Sequence, residues 1–160
     1  MQIKTSRLRG VNLGGWLMME GYILGGRNIA EQEFKADFKK RFGARGLKDF
    51  EKAFRSSFIQ EKDFKNLAAM GVNCVRLPFN YRLIENAPEG YQYFDKAFLW
   101  GERYGIGIIL DMHAACGAQN CDWHSDSLGR AQLWEKEEFR DRMVALWQKV
   151  VTRYKHEEAL

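Results

Sequence analysis

Four side chains able to ligate a metal stand within twelve residues, as His113-x-x-Cys116 and Cys121-x-x-His124. Imidazole nitrogen and thiolate sulfur are both zinc donors, so a metal-binding loop is one reading of this stretch. A Cys116–Cys121 disulfide is a second, and two free thiols a third. Cys74 lies apart from them in an apolar run and reads as a small buried hydrophobe. Arg76 shares that run. A buried charge must be paired, so Arg76 is either half of a structural ion pair or an arginine belonging to a site.

The elements that must position these groups follow from periodicity. Ile106–Leu110 is a short apolar run rich in β-branched residues, which reads as a strand buried on both faces, as in a parallel sheet. Asp111, Met112 and His113 stand at its carboxyl end, followed by a loop holding Gln119, Asn120, Asp122, Trp123 and His124. That end of a strand is where α/β folds place chemistry. Upstream, residues 8–13 read as a first strand, closed by Gly14-Gly15 and followed by Trp16 and Glu20. GVNLGG lacks the spacing of a dinucleotide fingerprint. Ile29, Phe34, Phe38 and Phe42 recur at helical spacing up to Gly43, and a short helix over 47–54 follows. The segment 21–57 thus reads as a helical insertion whose phenylalanines belong to the core.

Residues 61–70 predict a helix with Glu61 and Asp63 in its first turn and Gly71 as its stop. A second strand is expected over 72–78, ending at Pro78. Asp95 can cap a helix running to Tyr104, with Gly105 closing it. A last helix is expected from Glu135 to Tyr154, with Phe139, Met143, Leu146, Trp147, Val150, Val151 and Tyr154 as its apolar stripe. Strands alternating with helices argue a parallel sheet.

At 160 residues and 46% apolar composition the chain can bury a real core. It has no run of eighteen apolar residues, which excludes a spanning helix and a membrane partner. The amino terminus has no apolar leader segment, which makes the cytoplasm the default compartment, with secretion open if a leader was removed. The net charge of +4 is mild, and its excess lies in residues 35–55, where eight basic residues face three acidic ones. That segment reads as a solvated helical face, without the basicity of a nucleic-acid surface.

Three blocks, RGVNLGGW followed by Glu20, EKDFKNLAAMGVNCVRLPFNY, and ILDMHAACGAQNCDWHSDS, come in one order along nearly the whole chain. Together they resemble the amino-terminal part of glycoside hydrolase family 5, the cellulase and exo-β-1,3-glucanase group. The resemblance implies about three βα units of a TIM (β/α)8 barrel, with residues 1–160 forming the amino-terminal portion of a single barrel domain. It implies a supporting role for Arg76, which would position the nucleophile, and for His113 in the sugar site. Glu20 would bond sugar hydroxyls, and Asn120, Trp123 and His124 would line the same subsite. Trp16 joins them as an aromatic face, since sugar recognition combines polar partners with flat rings. Ala115-Cys116-Gly117 departs from the family's frequent Ala-Pro-Gly and removes the proline's stiffness from the loop.

The implied activity is retaining hydrolysis of O-glycosidic bonds in β-glucan-type chains, without a cofactor. Retaining glycosidases use two carboxylates about 5–5.5 Å apart. The family carries its acid/base in an Asn-Glu-Pro motif after strand four and its nucleophile after strand seven. No Asn-Glu-Pro occurs here, so both catalytic carboxylates are expected beyond Leu160 and the chain alone is expected to be inactive. A non-catalytic carbohydrate-binding remnant, or a half-barrel needing a partner chain, is the alternative.

Overall fold

The structure is a computed structural model describing residues 7–85 and 87–157. Residues 1–6, part of the stretch read as having no leader, lie outside the described residues, as do Asn86 and residues 158–160. Three parallel strands, β1 (Gly10–Asn12), β2 (Cys74–Asn80) and β3 (Gly107–Ala114), form one sheet in the order β1-β2-β3. Two helical elements follow β1, namely α1 (Gly21–Leu24) and α2 (Glu31–Ser57), and α3 (Glu61–Ala69) leads into β2. Between β2 and β3 come α4 (Arg82–Glu85) and α5 (Tyr91–Tyr104); α6 (Gln132–Glu135) and α7 (Glu137–Tyr154) close the chain. This is the amino-terminal part of a TIM barrel.

Strand alternation divides the sheet into two faces. Val75, Leu77 and Phe79 of β2 and Ile108 and Met112 of β3 are buried with Phe64 of α3, Phe94 and Phe98 of α5, and Leu146, Val150 and Tyr154 of α7. The register pairs Asn12 with Arg76 and Arg76 with Ile109, so these three share the other face. Ile109 is 50% exposed there. Asp111 and His113 follow at i+2 and i+4 on that open face.

Several boundaries move for identifiable reasons. β2 runs through Pro78 to Asn80 rather than stopping at the proline. Arg76 O accepts from Leu13 N and Asn80 N donates to Leu17 O. Alternation therefore turns the Pro78 nitrogen toward the same side, where β1 has already left the sheet and no hydrogen bond is lost. β3 likewise extends to Ala114, which puts Asp111 and His113 on the strand itself. α5 starts at Tyr91 after a 3-10 turn opened by Pro88. Asp95 is therefore inside the helix, where its carboxylate accepts from Arg153 Nη2 at 2.8 Å and from the Tyr154 hydroxyl at 2.7 Å instead of capping. The expected last helix breaks at Lys136, whose backbone is extended, and Val151 is 51% exposed rather than part of the stripe.

α2 is a helical hairpin. Gly43, at φ 75° and ψ 171°, breaks it into two arms that fold against each other, as the glycine stop predicted. Lys35 Nζ reaches Glu51 at 2.9 Å across the arms, and the Phe38 and Phe50 rings stack at 4.7 Å. The expectation that these phenylalanines join the core is overturned. Phe34, Phe38, Phe42, Phe50, Phe54 and Phe58 pack on one another in a ladder outside the sheet's core cluster, and Phe42 is 63% exposed. With α1 they line an apolar cleft of about 760 Å³. Among the described residues no helix is long and apolar enough to cross a membrane.

Candidate active site

The carboxyl ends of the three strands bring one set of polar and aromatic side chains together. From β2, Arg76 projects onto the open face and donates through Nη2 to Asp111 Oδ2 at 2.5 Å and through Nη1 to Asn12 Oδ1 at 3.3 Å. His113 completes a triangle, with Nδ1 2.9 Å from Arg76 Nη2 and 3.0 Å from Asp111 Oδ2. A ring protonated only at Nε2 accepts from Arg76, whereas one carrying a proton on Nδ1 donates to Asp111. The ion pair is partly open to solvent, with the Arg76 side chain 36% and that of Asp111 28% exposed. It is thus an ion pair that also belongs to a cluster of polar side chains at the strand ends. Asp111 is a member the sequence reading passed over. Its signal was available, because Asp and His at i and i+2 share a face once the segment is a strand.

The loop after β3 builds the next part. His113 and His124 rings lie 5.9 Å apart, and Trp123 meets His124 edge to face at 5.7 Å. Asn120 Nδ2 donates to His124 Nε2 at 3.4 Å. Tyr22 of α1 stands edge-on to Trp123 at 5.8 Å and donates its hydroxyl to Glu20 Oε1 at 3.3 Å. Partial desolvation and then the Glu20 carboxylate hold the Tyr22 phenol above its ordinary range. Glu20 itself is buried, its Oε2 accepting from Gly15 N at 3.3 Å. Tyr22 is the second member the sequence reading missed. It stands two residues after Glu20, on a helix too short to show periodicity.

Six of the seven expected residues, Glu20, Arg76, His113, Asn120, Trp123 and His124, therefore fall in one contiguous patch. Trp16 does not. The turn at Gly15 (φ 77°) carries the chain back beneath the hairpin, and Leu17 bridges to Phe79 of β2. Trp16 is fully buried, stacked on Trp100 and edge-on to Tyr93, both at 6.3 Å, and its Nε1 donates to Arg55 O at 2.8 Å. With both ring faces packed it offers no surface to a sugar.

The four-residue metal loop is also corrected. All three cysteines are free; Cys116 is fully buried in the core and Cys121 is exposed. Among the described residues no three His, Cys, Asp or Glu side chains are arranged to hold a metal ion. Burial, and then the Glu85 carboxylate, push the Cys116 thiol up to about 11, away from a ready thiolate.

The loop is stiffened without the missing proline. Gln119 accepts from Ala115 N at 3.1 Å and donates to His113 O at 2.6 Å, bridging its two ends. Gly117 takes φ 74°, and a Cβ there would lie 2.5 Å from the Phe139 ring, so the loop lies flat against α7. Trp134 Nε1 donates to Gln119 O at 2.7 Å, tying the loop to α6.

Known proteins are similar to this chain in sequence and in fold. A β-xylosidase of Phanerodontia chrysosporium is 36% identical over 156 residues, covering 92% of this chain and 33% of that protein. Glucan 1,3-beta-glucosidase 2 of Wickerhamomyces anomalus is 32% identical over 158 residues, covering 89% of this chain and 36% of that protein. The chain thus spans about a third of the length of the curated relatives it matches. Rutinosidase from Aspergillus niger superposes with a TM-score of 0.72 at 19% identity, over 94% of this chain and 45% of that one, a likeness of fold. The model of the cellulase family, glycosyl hydrolase family 5, matches residues 33–160, and the chain belongs to that family.

Proposed function

We propose that this chain supplies the sugar-binding part of a glycosidase site acting on β-glucan-type polysaccharides or oligosaccharides. The observation that carries the reading is the unbroken patch from Glu20 and Tyr22 through Trp123, His124 and Asn120 to His113, Arg76 and Asp111. Flat indole and phenol rings suit the C–H faces of a pyranose, and the amide, carboxylate and guanidinium groups suit its hydroxyls. The names of the relatives, xylosidase and glucan 1,3-beta-glucosidase, favour a β-linked substrate.

In this reading Arg76 works through charge. A guanidinium beside a carboxylate favours its ionised form, the state a retaining nucleophile needs. Both acidic groups in the patch are hydrogen-bonded within it, Glu20 by Tyr22 and Gly15 and Asp111 by Arg76. In this reading the acid/base and the nucleophile are carboxylates supplied from outside this chain, and the chain alone is expected to turn over no glycoside. The open sheet face, with Ile109 half exposed, favours association with further barrel elements, which keeps a half-barrel with a partner chain as the second reading.

The test is a titration of this chain with laminaritriose and with cellotriose, reading the imidazole signals of His113 and His124, with an aryl β-glucoside assay alongside. The expected result is movement of both histidine signals with no turnover. Millimolar trisaccharide that moves neither signal would overturn the carbohydrate reading. Turnover by this chain would overturn the expected inactivity.

A further inference from the structure

We propose that Asp126 is a positioning residue that holds the Trp123–His124 turn in place by capping a helix remote from it in sequence. Asp126 is buried, 3% exposed, and takes the left-handed conformation at φ 56°. Its main-chain N–H closes the turn onto Trp123 O at 3.0 Å. Its carboxylate leaves the turn altogether. Oδ1 accepts from the Gln32 main-chain N–H at 2.7 Å, in the first turn of α2, where Ala30 at the N-cap offers no side-chain acceptor. Oδ2 accepts from Asn80 Nδ2 at 3.0 Å and from Arg82 Nε at 3.0 Å. The Gln32 side-chain amide donates back to Asp126 O at 2.5 Å.

Asp126 thus meets an unfilled donor at a helix start, where a negative charge also suits the helix dipole. It ties the sugar-facing turn at once to the hairpin and to the end of β2. The network continues inward. Asn80 Nδ2 also lies 3.3 Å from Glu31 Oε2, which accepts from Met19 N at 3.0 Å on the strand-one loop just before Glu20. Glu31 is 1% exposed and Asn80 is 1% exposed, so these bonds are made without competing water. One buried chain therefore runs from the loop bearing Trp123 and His124 to the loop bearing Glu20, and the helical hairpin is its anchor.

The affinity part of the test rests on the carbohydrate reading; the spectroscopic part does not. Asp126→Asn and Asp126→Gly both tolerate the left-handed backbone, so a shared effect reports the carboxylate rather than the turn. Arg82→Gln removes one outer donor and serves as a milder variant that keeps the fold. Histidine imidazole and tryptophan indole signals are recorded for each, with and without laminaritriose. The expected result is displaced His124 and Trp123 signals, an unmoved Trp16 indole signal, and trisaccharide affinity weakened about tenfold. Unchanged His124 and Trp123 signals in the folded variants, or in Arg82→Gln if the Asp126 variants do not fold, would overturn the proposal. Should the unaltered chain bind no trisaccharide while the variants displace those two signals, the positioning role stands and the carbohydrate reading falls.

Discussion

Two loops leave the carboxyl ends of parallel strands in this chain, and each carries a tryptophan. After β1 the chain sinks: Trp16, Leu17, Met18 and Met19 are all buried, under the hairpin and α5. After β3 it stays partly open between residues 119 and 124, buried at both ends but with Trp123 half-buried beside the exposed Tyr22. The two tryptophans have the same type and the same topological address. What separates them is the cover above each loop. The α2 hairpin and α5 close over the first, supplying a carbonyl for the indole of Trp16, whereas the ring of Trp123 meets α1 through the exposed Tyr22. An aromatic residue at a strand end is therefore core where later helices close over its ring, as at Trp16, and stays accessible where they do not, as at Trp123.

The largest expected effect tests that contrast directly. Trp16→Ala should cost about 3–5 kcal/mol of stability in urea unfolding, from lost burial and the cavity left behind. Trp123→Ala should cost about 1 kcal/mol or less while weakening trisaccharide binding at least about tenfold. Equal stability losses would break the distinction between the loops.

A smaller effect separates the two ends of the β3 loop by thiol chemistry. At pH 8 a thiol reagent should modify the exposed Cys121 at once, and Cys116 only on unfolding. The folded Cys116 thiol titrates at about 11 against an ordinary 9.0. The unfolded chain loses this proton first, so the associated stability is complete below about pH 9 and is lost as pH rises toward 11. An unfolding midpoint flat across that alkaline range would contradict the burial assigned to this side chain. Tyr154 should push in the same direction, since burial and then its bond to Asp95 raise its phenol.

The smallest effect lies in the hairpin. Phe42→Ser should change stability by no more than about 0.5 kcal/mol, because this ring sits at the exposed end of the ladder. A loss as large as that for Trp16 would mean the ladder is packed against something as firmly as the core.

Much of this arrangement was legible in the residues. Local rules named the α3 helix with its Gly71 stop, the Gly43 break and the apolar cores of β2 and β3, because these depend on contacts a few residues apart. The strand ends were misjudged where a local rule met a tertiary exception. Pro78 stays in the strand because its missing donor faces a gap left by β1. Asp95 does not cap because the helix already starts at Tyr91, and Arg153 and Tyr154, some sixty residues on, take its carboxylate instead.

By itself the amino-acid sequence determined the alternation of strands and helices, the family, and the residue types gathered near strand ends, since periodicity and motif order are properties of neighbours in the chain. Only the tertiary structure decided that Trp16 is core and Trp123 is not, that Asp111 joins Arg76 and His113, and that Cys116 is buried away from Cys121. It also decided that Asp126 caps a helix 94 residues earlier. Each of those outcomes depends on what packs across from a side chain, and a carboxylate that bonds a distant main-chain N–H leaves no periodic trace in the sequence.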